Sequence, residues 1–311
     1  MRSDAFEDRY TLDKAIGHPG SYGKVHAAVC KRSGRSLAVK IMKKPLRQTT
    51  RHEKIRALMI QSEAAIMRSI RHPHIVEVVD VIETPSRFYF VMEECRGGDL
   101  FDRIMDYNGK VPEASAAAIF RNLLNAVQYI HYLRIVHGDL KLSNIMFDNS
   151  SDDSLRVIDF GLSQYRLDGM PPLTEMVGTP NYQAPDVICG SYSFEADIWS
   201  LGVILFVMVF GFNPFDPFGS TDDSDVIHRR VMSGFASITK SGYGAFFPAD
   251  IPASTEVKDL ISKMLQPNPR LRITIQDVLV HPWMQKKTVS VGKLVVPKSA
   301  IDESNSVSPC A

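Results

Sequence analysis

The chain has 311 residues, of which 44% are hydrophobic and 23% are charged, and its formal net charge is +1. This composition is ordinary for a soluble globular protein and allows one large domain or a pair of lobes. The small net charge excludes a general electrostatic attraction to nucleic acid or to anionic membranes.

The N-terminus, MRSDAFEDRY, is charged and lacks an apolar core, which argues against a signal peptide, and no glycine follows Met1 for N-myristoylation. Scattered cysteines that form no CxxC pair are typical of a reducing compartment rather than of a disulfide framework. These cysteines are Cys30, Cys95, Cys189 and Cys310. We therefore expect a cytoplasmic protein.

A glycine-rich segment, I-G-H-P-G-S-Y-G-K-V, covers residues 16–25. Gly20, Gly23 and Val25 have the spacing found at the end of a hairpin that covers phosphate groups. Glycine suits such a hairpin because it lets backbone N–H groups approach phosphate oxygens. Any tight hairpin uses glycines, so this segment alone leaves an ordinary turn open.

The residue pattern up to about position 93 predicts several short strands and one helix. The strand-like runs are Leu37–Met42, Val76–Ile82 and Phe88–Met92, and apolar spacing predicts a helix over Glu53–Ile70. Alternation places Ala38 and Lys40 on one strand face, and Glu63 lies on the apolar face of the helix. Charged groups in apolar surroundings need partners, so we expect Lys40 and Glu63 to pair. An edge lysine and a glutamate that reaches solvent are the alternative.

After Arg96-Gly97-Gly98 the pattern changes to longer helices. The clearest are Ala114–Leu133, Asp197–Phe210 and Val257–Leu265. Strands followed by helices predict an α+β fold with a small β-rich N-terminal lobe and a larger helical C-terminal lobe. The apolar run 198–212 is too short to cross about 30 Å of hydrocarbon, so we expect a buried helix there and no membrane span. Residues 148–153, DNSSDD, are interpreted as a solvated loop, and residues 286–311 as a tail.

Polar motifs in the C-terminal lobe carry the strongest functional signal. V-H-G-D-L-K-L-S-N occupies residues 136–144, and R-V-I-D-F-G occupies residues 156–161. The first separates Asp139 and Asn144 as in H-R-D-x-x-x-x-N, and the second delivers Asp159 to the end of a strand. D-F-G alone is a weak motif, but behind the first motif at this spacing it is strong.

With these motifs in this order, the sequence resembles the eukaryotic protein kinase superfamily from about Tyr10 to Trp283. G-T-P-N-Y-Q-A-P-D at 178–186, D-I-W-S-L-G at 197–202 and R-I-T…H-P-W at 272–283 agree with that resemblance. At two motif positions, Lys141 and Thr179, the residue types are similar to those of the serine/threonine branch rather than the tyrosine branch. The resemblance implies a kinase domain over residues 10–283, with an N-lobe at about 10–93 and a C-lobe at about 96–283.

Within that branch, F-V-M-E-E-C-R-G-G-D-L-F-D-R-I and D-I-W-S-L-G-V-I-L-F are similar to calmodulin-dependent and calcium-dependent protein kinases. S-G-Y-G-A-F-F-P at 241–248 resembles calcium-dependent kinases of apicomplexan parasites. No EF-hand loop of the form D-x-[DN]-x-[DN]-G occurs in the sequence. Control by a calcium sensor or by calmodulin is therefore implied by the resemblance alone.

The resemblance implies transfer of the γ-phosphate of ATP, with Mg²⁺, to serine or threonine hydroxyls of protein substrates. Asp139 would act as the base, Lys141 would offset charge on the phosphoryl group, and Lys40 held by Glu63 would orient the phosphates. Asn144 and Asp159 would bind Mg²⁺. The implied nucleotide-binding residues are Gly17, Gly20, Gly23, Val25, Ala38, Lys40, Met92 behind the adenine, Glu93 and Cys95 at its edge, and Asp99 near the ribose.

The sequence departs from the family pattern in ways that leave a nucleotide-binding pseudokinase or scaffold as the alternative function. His18 stands where G-x-G-x-x-G needs glycine, and Gly17 comes one residue too early. Asp186 replaces the glutamate of A-P-E, so its expected pair with Arg272 should be weakened but not abolished. Gly138 replaces an arginine that helps to bind phosphate on the activation segment.

Without that arginine, packing must order the activation segment, residues 159–186. Tyr165, Leu167, Leu173 and Met176 are the candidates for packing against the large lobe. A basic residue at a distance, such as Arg166, is the alternative anchor. We expect the unphosphorylated domain to be competent, with Ser163 and Thr174 as candidate phosphorylation sites.

Overall fold

The structure is a computed structural model that describes residues 6–16, 23–45, 50–149, 151–217, 219, 221–233, 247–248 and 250–285. A β-sheet with one long helix forms most of its N-terminal lobe, and helices dominate its C-terminal lobe, so the α+β two-lobed prediction is confirmed. Predictions that concern Gly17, His18, Gly20, residues 241–246 and the tail 286–311 lie outside the described residues.

The N-terminal lobe is built on an antiparallel sheet with strand order β1-β2-β3-β5-β4. Its elements are α1 (Phe6–Arg9), β1 (Tyr10–Ala15), β2 (Lys24–Cys30), β3 (Ser36–Lys43), α2 (Arg51–Ser69), β4 (Val78–Glu83) and β5 (Arg87–Glu93). The Phe6 ring stacks on Tyr10 and Tyr89, with centroids 5.3 Å and 4.5 Å away. The packed core therefore extends ahead of the expected domain start at Tyr10.

Strand register gathers several candidate site residues on one face of this sheet. Lys40 pairs with Val25 on β2 and with Phe90 on β5, and Ala38 pairs with Met92. Directly opposed residues point to the same side of a sheet, and residues two apart on a strand do so as well. Val25, Ala38, Lys40 and Met92 therefore share a face, which confirms the alternation expected for β3.

β4 begins at Val78 rather than at Val76, where the strand pattern places its start. The N–H of Val76 instead donates to the carbonyl of Val157 at 3.0 Å, and Ile75 forms a parallel bridge with Val157. This stretch joins the lobes instead of extending the sheet, because its backbone donors are already used by the C-terminal lobe.

α2 begins at Arg51, earlier than the apolar spacing indicates, because a capping box starts it. The N–H of Glu53 donates to Thr50 Oγ1 at 3.2 Å, and the N–H of Thr50 donates to Glu53 Oε2 at 3.0 Å. The cap sets where the helix begins, and the helix turns the side chain of Glu63 toward the sheet, where it is 3% exposed.

The C-terminal lobe is organised around a buried helix, α6. Its elements are α3 (Leu100–Asp106), α4 (Glu113–Tyr132), β6 (Ile135–Val136), β7 (Ile145–Phe147), β8 (Leu155–Val157), β9 (Gln164–Tyr165), α5 (Pro185–Ile188), α6 (Glu195–Phe210), α7 (Ser224–Met232), α8 (Thr255–Met264), α9 (Ile275–Val280) and α10 (Pro282–Gln285). Every residue of α6 from Ala196 to Phe210 is buried, as expected for a core helix. In the part of the chain that the structure describes, no helix combines the length and hydropathy needed to cross a membrane.

Two short strand pairs carry the polar motifs. β6 pairs with β9, and β7 pairs with β8. Residues 137–144 connect β6 to β7, and residues 158–163 connect β8 to β9. The ladders therefore bring the H-G-D and D-F-G segments out beside each other.

The DNSSDD stretch is exposed at Asp148 and Asp153, as expected for a solvated loop, but Asp152 departs from that prediction. Asp152 forms an ion pair with the buried Arg103 of α3, and it accepts a hydrogen bond from the hydroxyl of Tyr107 at 2.8 Å. The Arg103 side chain also donates to the carbonyl of Asn149 at 3.1 Å. This loop therefore anchors α3, because the buried arginine needs a counter-charge.

Candidate active site

Lys40, Glu63 and Asp159 come from different elements and meet between the lobes. Lys40 Nζ lies 2.7 Å from Glu63 Oε1 and 2.7 Å from Asp159 Oδ1. Lys40 is 9% exposed and Glu63 is 3% exposed, so the expected pair forms and the alternative of an edge lysine is wrong. Asp159 has φ 59°, a left-handed conformation uncommon for a residue with a Cβ.

The charges of Lys40 and Asp159 support each other, whereas burial outweighs the Lys40 ammonium at Glu63 and raises the pKa of Glu63. Burial alone would lower the pKa of Lys40, but the carboxylates of Glu63 and Asp159 outweigh burial and raise the pKa of Lys40. Burial also opposes ionisation of Asp159, yet the Lys40 ammonium lowers the pKa of Asp159 below its usual value. The ammonium of Lys40 and the carboxylate of Asp159 are therefore both charged at neutral pH.

Asp139, Lys141 and Thr179 form a closed polar triangle. Lys141 Nζ lies 2.8 Å from Asp139 Oδ2 and donates to Thr179 Oγ1 at 2.9 Å. Thr179 Oγ1 in turn donates to Asp139 Oδ1 at 2.8 Å. Asn144 Nδ2 donates to the Asp139 carbonyl at 2.8 Å and to Asp139 Oδ2 at 3.2 Å. A hydroxyl, an ammonium and an amide therefore hold the carboxylate of Asp139 in one orientation.

Thr179 and Asp197 take part in this site although sequence reasoning assigned neither to it. In the sequence, Thr179 is only a sign of the serine/threonine branch, and Asp197 opens an apolar helix. Asp197 is 1% exposed and accepts the N–H groups of His137 and Gly138 at 2.9 Å and 3.0 Å. The signal that could have identified this anchoring role is a charged residue at the start of a fully buried helix.

The hydrogen-bond partners of Asp197 stabilise its ionised carboxylate. Burial would raise the pKa of this carboxyl, but a 2.8 Å hydrogen bond with His131 Nε2 and the backbone donor of Gly138 lower it. An ionised carboxylate accepts backbone N–H groups more strongly than a neutral acid does. Asp197 therefore fixes the backbone immediately before Asp139.

Gly138 occupies the position where the family resemblance calls for an arginine. Its φ is 78°, and a Cβ there would lie 3.2 Å from the Leu162 carbonyl oxygen and 3.3 Å from Val177 Cγ2. Gly178 faces it with φ 95°, and a Cβ on Gly178 would lie 2.6 Å from the Gly138 carbonyl oxygen. The H-G-D segment and the activation segment therefore touch backbone to backbone, and at Gly178 the 2.6 Å approach is one that only glycine allows without displacement.

The activation segment is held by backbone pairing rather than by the expected side-chain packing. Most of the expected packing residues are exposed: Tyr165 by 38%, Leu167 by 50% and Met176 by 58%. Leu173 does pack against the core, and its backbone exchanges hydrogen bonds with Tyr192 at 2.9 Å and 3.0 Å. The N–H of Arg166 donates to the Arg134 carbonyl at 2.7 Å beside the β6–β9 pair. The prediction of packing is therefore wrong for Tyr165, Leu167 and Met176, and backbone hydrogen bonds hold the segment beside Tyr165 and at Leu173.

The connection between the lobes carries the residues expected at the adenine. Met92 and Glu93 end β5, and Cys95 follows them. Glu93 Oε1 accepts hydrogen bonds from Arg156 Nε and from the Glu77 N–H, both at 2.9 Å. These bonds tie the connection to both lobes, while its contacts with adenine stay predictions.

Cys95 and Asp99 also lie near the connection between the lobes. The ionisation state of the Cys95 thiol and the capping hydrogen bond of Asp99 limit the roles that these residues can have. Burial raises the pKa of the Cys95 thiol to about 12, so the thiol is neutral near pH 7 and a poor nucleophile. Asp99 is the N-cap of α3, and its Oδ1 accepts the N–H of Asp102 at 2.9 Å. A contact of Asp99 with ribose stays a prediction.

Gly23 is described at the end of the glycine-rich segment, next to β2. A Cβ on Gly23 would lie 2.9 Å from the Ile41 carbonyl oxygen, closer than side-chain carbons normally approach. Close approach of the strands is therefore sufficient to require glycine here, whether or not Gly23 also meets a phosphate.

The residues present fit Mg²⁺ and a nucleotide phosphate. Asn144 turns its amide nitrogen to Asp139, which leaves its side-chain oxygen as the atom available to a cation. Asp159 adds a carboxylate, and oxygen ligands of this kind are those that Mg²⁺ prefers. Lys40 supplies a positive charge beside Asp159. The roles of these residues toward metal and phosphate stay predictions.

Asp186 and Arg272 form the buried ion pair that was expected. Arg272 Nη2 donates to Asp186 Oδ1 at 2.7 Å, and the two side chains are 4% and 0% exposed for Asp186 and Arg272. Asp186 Oδ2 is buried and has no hydrogen-bond partner among the described residues. The shorter aspartate thus engages the arginine through a single oxygen, a weaker pair than a bidentate one.

We expect Asp186→Ala to destabilise the domain by roughly 3–5 kcal/mol, because it leaves the buried guanidinium of Arg272 without its counter-charge. Urea unfolding measures the loss. Asp168→Ala is the matched control, since the exposed Asp168–Arg134 pair has the same 2.7 Å separation with side chains 80% and 47% exposed. That control should lose less than about 1 kcal/mol. Equal losses in the two variants would contradict the prediction.

Comparison with known proteins identifies the family to which the motifs point. The protein kinase domain family matches residues 10–284. Calcium-dependent protein kinase 5 of Plasmodium falciparum is 35% identical over 288 residues, which are 92% of this chain and 47% of that protein.

Plant and mammalian proteins give similar values. CBL-interacting serine/threonine-protein kinase 24 of Arabidopsis thaliana is 36% identical over 285 residues, 91% of this chain and 59% of that protein. Serine/threonine-protein kinase DCLK1 of Rattus norvegicus is 36% identical over 282 residues, 89% of this chain and 60% of that protein. The chain therefore spans only 47–60% of the length of these relatives.

Proposed function

This chain belongs to the protein kinase family, and from that premise we propose that it transfers the γ-phosphate of ATP to serine or threonine hydroxyls of proteins. The observation that carries the proposal is the triangle of Asp139, Lys141 and Thr179. One hydroxyl there already meets a carboxylate acceptor at 2.8 Å and an ammonium donor at 2.9 Å. A substrate hydroxyl needs the same two partners to react.

In the proposed mechanism, Asp139 orients the substrate hydroxyl and accepts its proton, while Lys141 offsets negative charge on the phosphoryl group in transit. Lys40, held by Glu63, positions the phosphates. Bound Mg²⁺, held by Asn144 and Asp159, supplies further neutralisation of phosphate charge. The catalytic power comes from positioning and fixed electrostatics, which the hydrogen bonds around Asp139 favour.

The alternative, a pseudokinase that binds nucleotide or acts as a scaffold, has less support. The similar proteins are named as kinases. The lysine, glutamate, aspartates and asparagine that the family needs are also present: Lys40 contacts Glu63 and Asp159, and Asn144 contacts Asp139. A scaffold has no need of such a buried charged cluster, which is costly to desolvate.

We extend the proposal to a signalling role related to calcium. One similar protein is named a calcium-dependent protein kinase, and the sequence passages noted above resemble that group. Calcium, a calcium sensor or calmodulin would then act through parts of the protein other than the catalytic residues. Comparing activity with and without calcium and calmodulin tests this extension separately from the kinase activity itself.

The decisive experiment is phosphorylation of a degenerate peptide library by the purified protein with ATP and Mg²⁺. We expect phosphate on serine or threonine peptides above a blank that contains the Asp139→Asn variant. Thermal stabilisation by ATP and Mg²⁺ without any phosphate transfer would instead favour the nucleotide-binding scaffold.

The activation segment leads to a prediction about phosphorylation. Ser163 is 4% exposed and donates its hydroxyl to the His137 carbonyl at 3.0 Å, so it is not accessible to a kinase in this conformation. Thr174 is exposed. Because Gly138 offers no charge to a phosphate at Thr174, and backbone pairing already orders the segment, we expect Thr174→Ala to keep nearly full activity.

The measurement is peptide phosphorylation by three samples: untreated protein, phosphatase-treated protein and the Thr174→Ala variant. All three rates should agree within about twofold. Such a difference corresponds to only a small change in the activation free energy of phosphate transfer. A tenfold loss in either altered sample, equivalent to about 1.4 kcal/mol, would show that phosphate on this segment is needed for activity.

A further inference from the structure

Gln183 is a buried polar residue to which neither the family resemblance nor the proposed mechanism gives a role. It follows the 3-10 turn Pro180–Tyr182, precedes α5 and is 7% exposed. Its Nε2 donates to the Val177 carbonyl at 2.9 Å and lies 3.3 Å from the Gly178 carbonyl. Its Oε1 lies 2.7 Å from Nε2 of His228 in α7. A buried amide with partners on both ends holds its neighbours in place.

The orientation of this amide follows from its partners. Backbone carbonyls only accept hydrogen bonds, so the nitrogen of Gln183 must face Val177 and Gly178. The oxygen of Gln183 then faces α7, and His228 must carry a proton on Nε2 to donate to it. The network therefore runs in one direction, from the imidazole through the amide to the activation segment.

The carbonyls that Gln183 holds come directly before Thr179 in the chain. Gly178 is also the residue that meets the Gly138 carbonyl oxygen, where an added Cβ would approach to 2.6 Å. Thr179 then reaches Asp139 and Lys141 through its hydroxyl. The Gly178 carbonyl lies in the peptide plane that ends at the Thr179 nitrogen and Cα, so a shift of this carbonyl would move Thr179 and its hydroxyl.

We propose that Gln183, oriented by His228, is a positioning residue for phosphate transfer: it fixes the Val177–Gly178 peptide so that Thr179 holds Asp139 and Lys141 in their reactive arrangement. This inference rests on the proposed kinase function. It adds a connection from α7 to the reacting groups that runs through hydrogen bonds and through the backbone of residues 177–179. None of the residues in this connection is assigned to the nucleotide or to Mg²⁺, so we expect ATP binding not to depend on it.

The test is substitution of Gln183 with methionine, which keeps the length of the side chain and removes its hydrogen bonds. We expect kcat for peptide phosphorylation to fall about tenfold, since two neutral hydrogen bonds position the segment, with the KM for ATP unchanged. His228→Leu should show the same pattern more weakly. His228→Gln, which keeps a donor for the Gln183 oxygen, should restore activity toward the wild-type value.

A double-mutant cycle with Thr179→Val separates positioning from general destabilisation. If Gln183 acts through the Thr179 hydroxyl, Gln183→Met should change kcat less than about twofold when that hydroxyl is already gone. Equal effects of Gln183→Met in the two backgrounds would overturn the inference. So would a rise in the KM for ATP as large as the fall in kcat.

Amide hydrogen exchange gives a readout that does not depend on activity. Gln183→Met should speed exchange of the backbone N–H groups of residues 182 and 183, which donate to the Thr179 and Pro180 carbonyls at 2.8 Å and 3.3 Å, while leaving α6 protected. Unchanged exchange at those amides overturns the positioning role even if the wild-type protein transfers no phosphate. Absence of transfer by the wild-type protein, with faster exchange in the variant, would instead reject the kinase function and keep the structural part of the inference.

Discussion

Replacing Asp139 with asparagine is expected to lower turnover by roughly 10²-fold or more while leaving ATP–Mg²⁺ binding intact. Asparagine keeps the shape of the side chain but cannot take up the proton of a substrate hydroxyl. The Thr179 and Lys141 donors, at 2.8 Å from the Asp139 carboxylate oxygens, also lose a charged acceptor. Steady-state peptide phosphorylation measures kcat, and thermal shift with ATP and Mg²⁺ measures binding.

Asp106→Asn is the matched control for that experiment. Asp106 ends α3, is exposed and lies outside the triangle, so the same chemical change should leave kcat unaltered. If Asp139→Asn turns over at the wild-type rate, Asp139 has no part in the reaction. If the variant fails to bind ATP–Mg²⁺, the loss of turnover reports on binding rather than on a base.

Replacing Lys40 with methionine is expected to lower activity by at least roughly 10²-fold, because the substitution removes the charge that orients the phosphates. It should also destabilise the fold, by roughly 3–5 kcal/mol, since Glu63 loses its partner inside the protein. Glu63 is 3% exposed and lies 2.7 Å from Lys40 Nζ, so water cannot replace that partner easily. Urea unfolding and peptide phosphorylation measure the two effects.

The double variant Lys40→Met with Glu63→Gln separates the two effects of Lys40. With both charges removed, stability should return toward the wild-type value, because no uncompensated buried charge remains. Activity should stay low, because no ammonium meets the phosphates. Lys43→Met is the control on the same strand, where the side chain is exposed and both properties should be unchanged. Recovery of activity in the double variant would contradict the role given to Lys40.

Local patterns in the sequence were enough to predict the fold and part of the site. Helical spacing and strand alternation arise from the geometry of the chain over a few residues, so they located α2, α4, α6 and β3 to within a few residues. Lys40 and Glu63 could be paired in advance because each lies on an apolar face and each needs an opposite charge. The family resemblance, and not a local pattern, led us to expect the pair of Asp186 with Arg272, and it could not show that a single carboxylate oxygen makes the contact.

Tertiary structure alone decided which distant polar groups share a hydrogen bond. Thr179 lies far along the chain from Asp139, Asp197 reaches back to Gly138, and Gln183 meets His228; no periodicity links these residues. It also decided that Tyr165 and Met176 face solvent, because no element in the described part of the chain packs over these two apolar side chains. A sequence shows which residues need a partner, because burial and charge follow from local pattern. Which partner each one finds depends on how elements pack, and packing is a property of the whole fold.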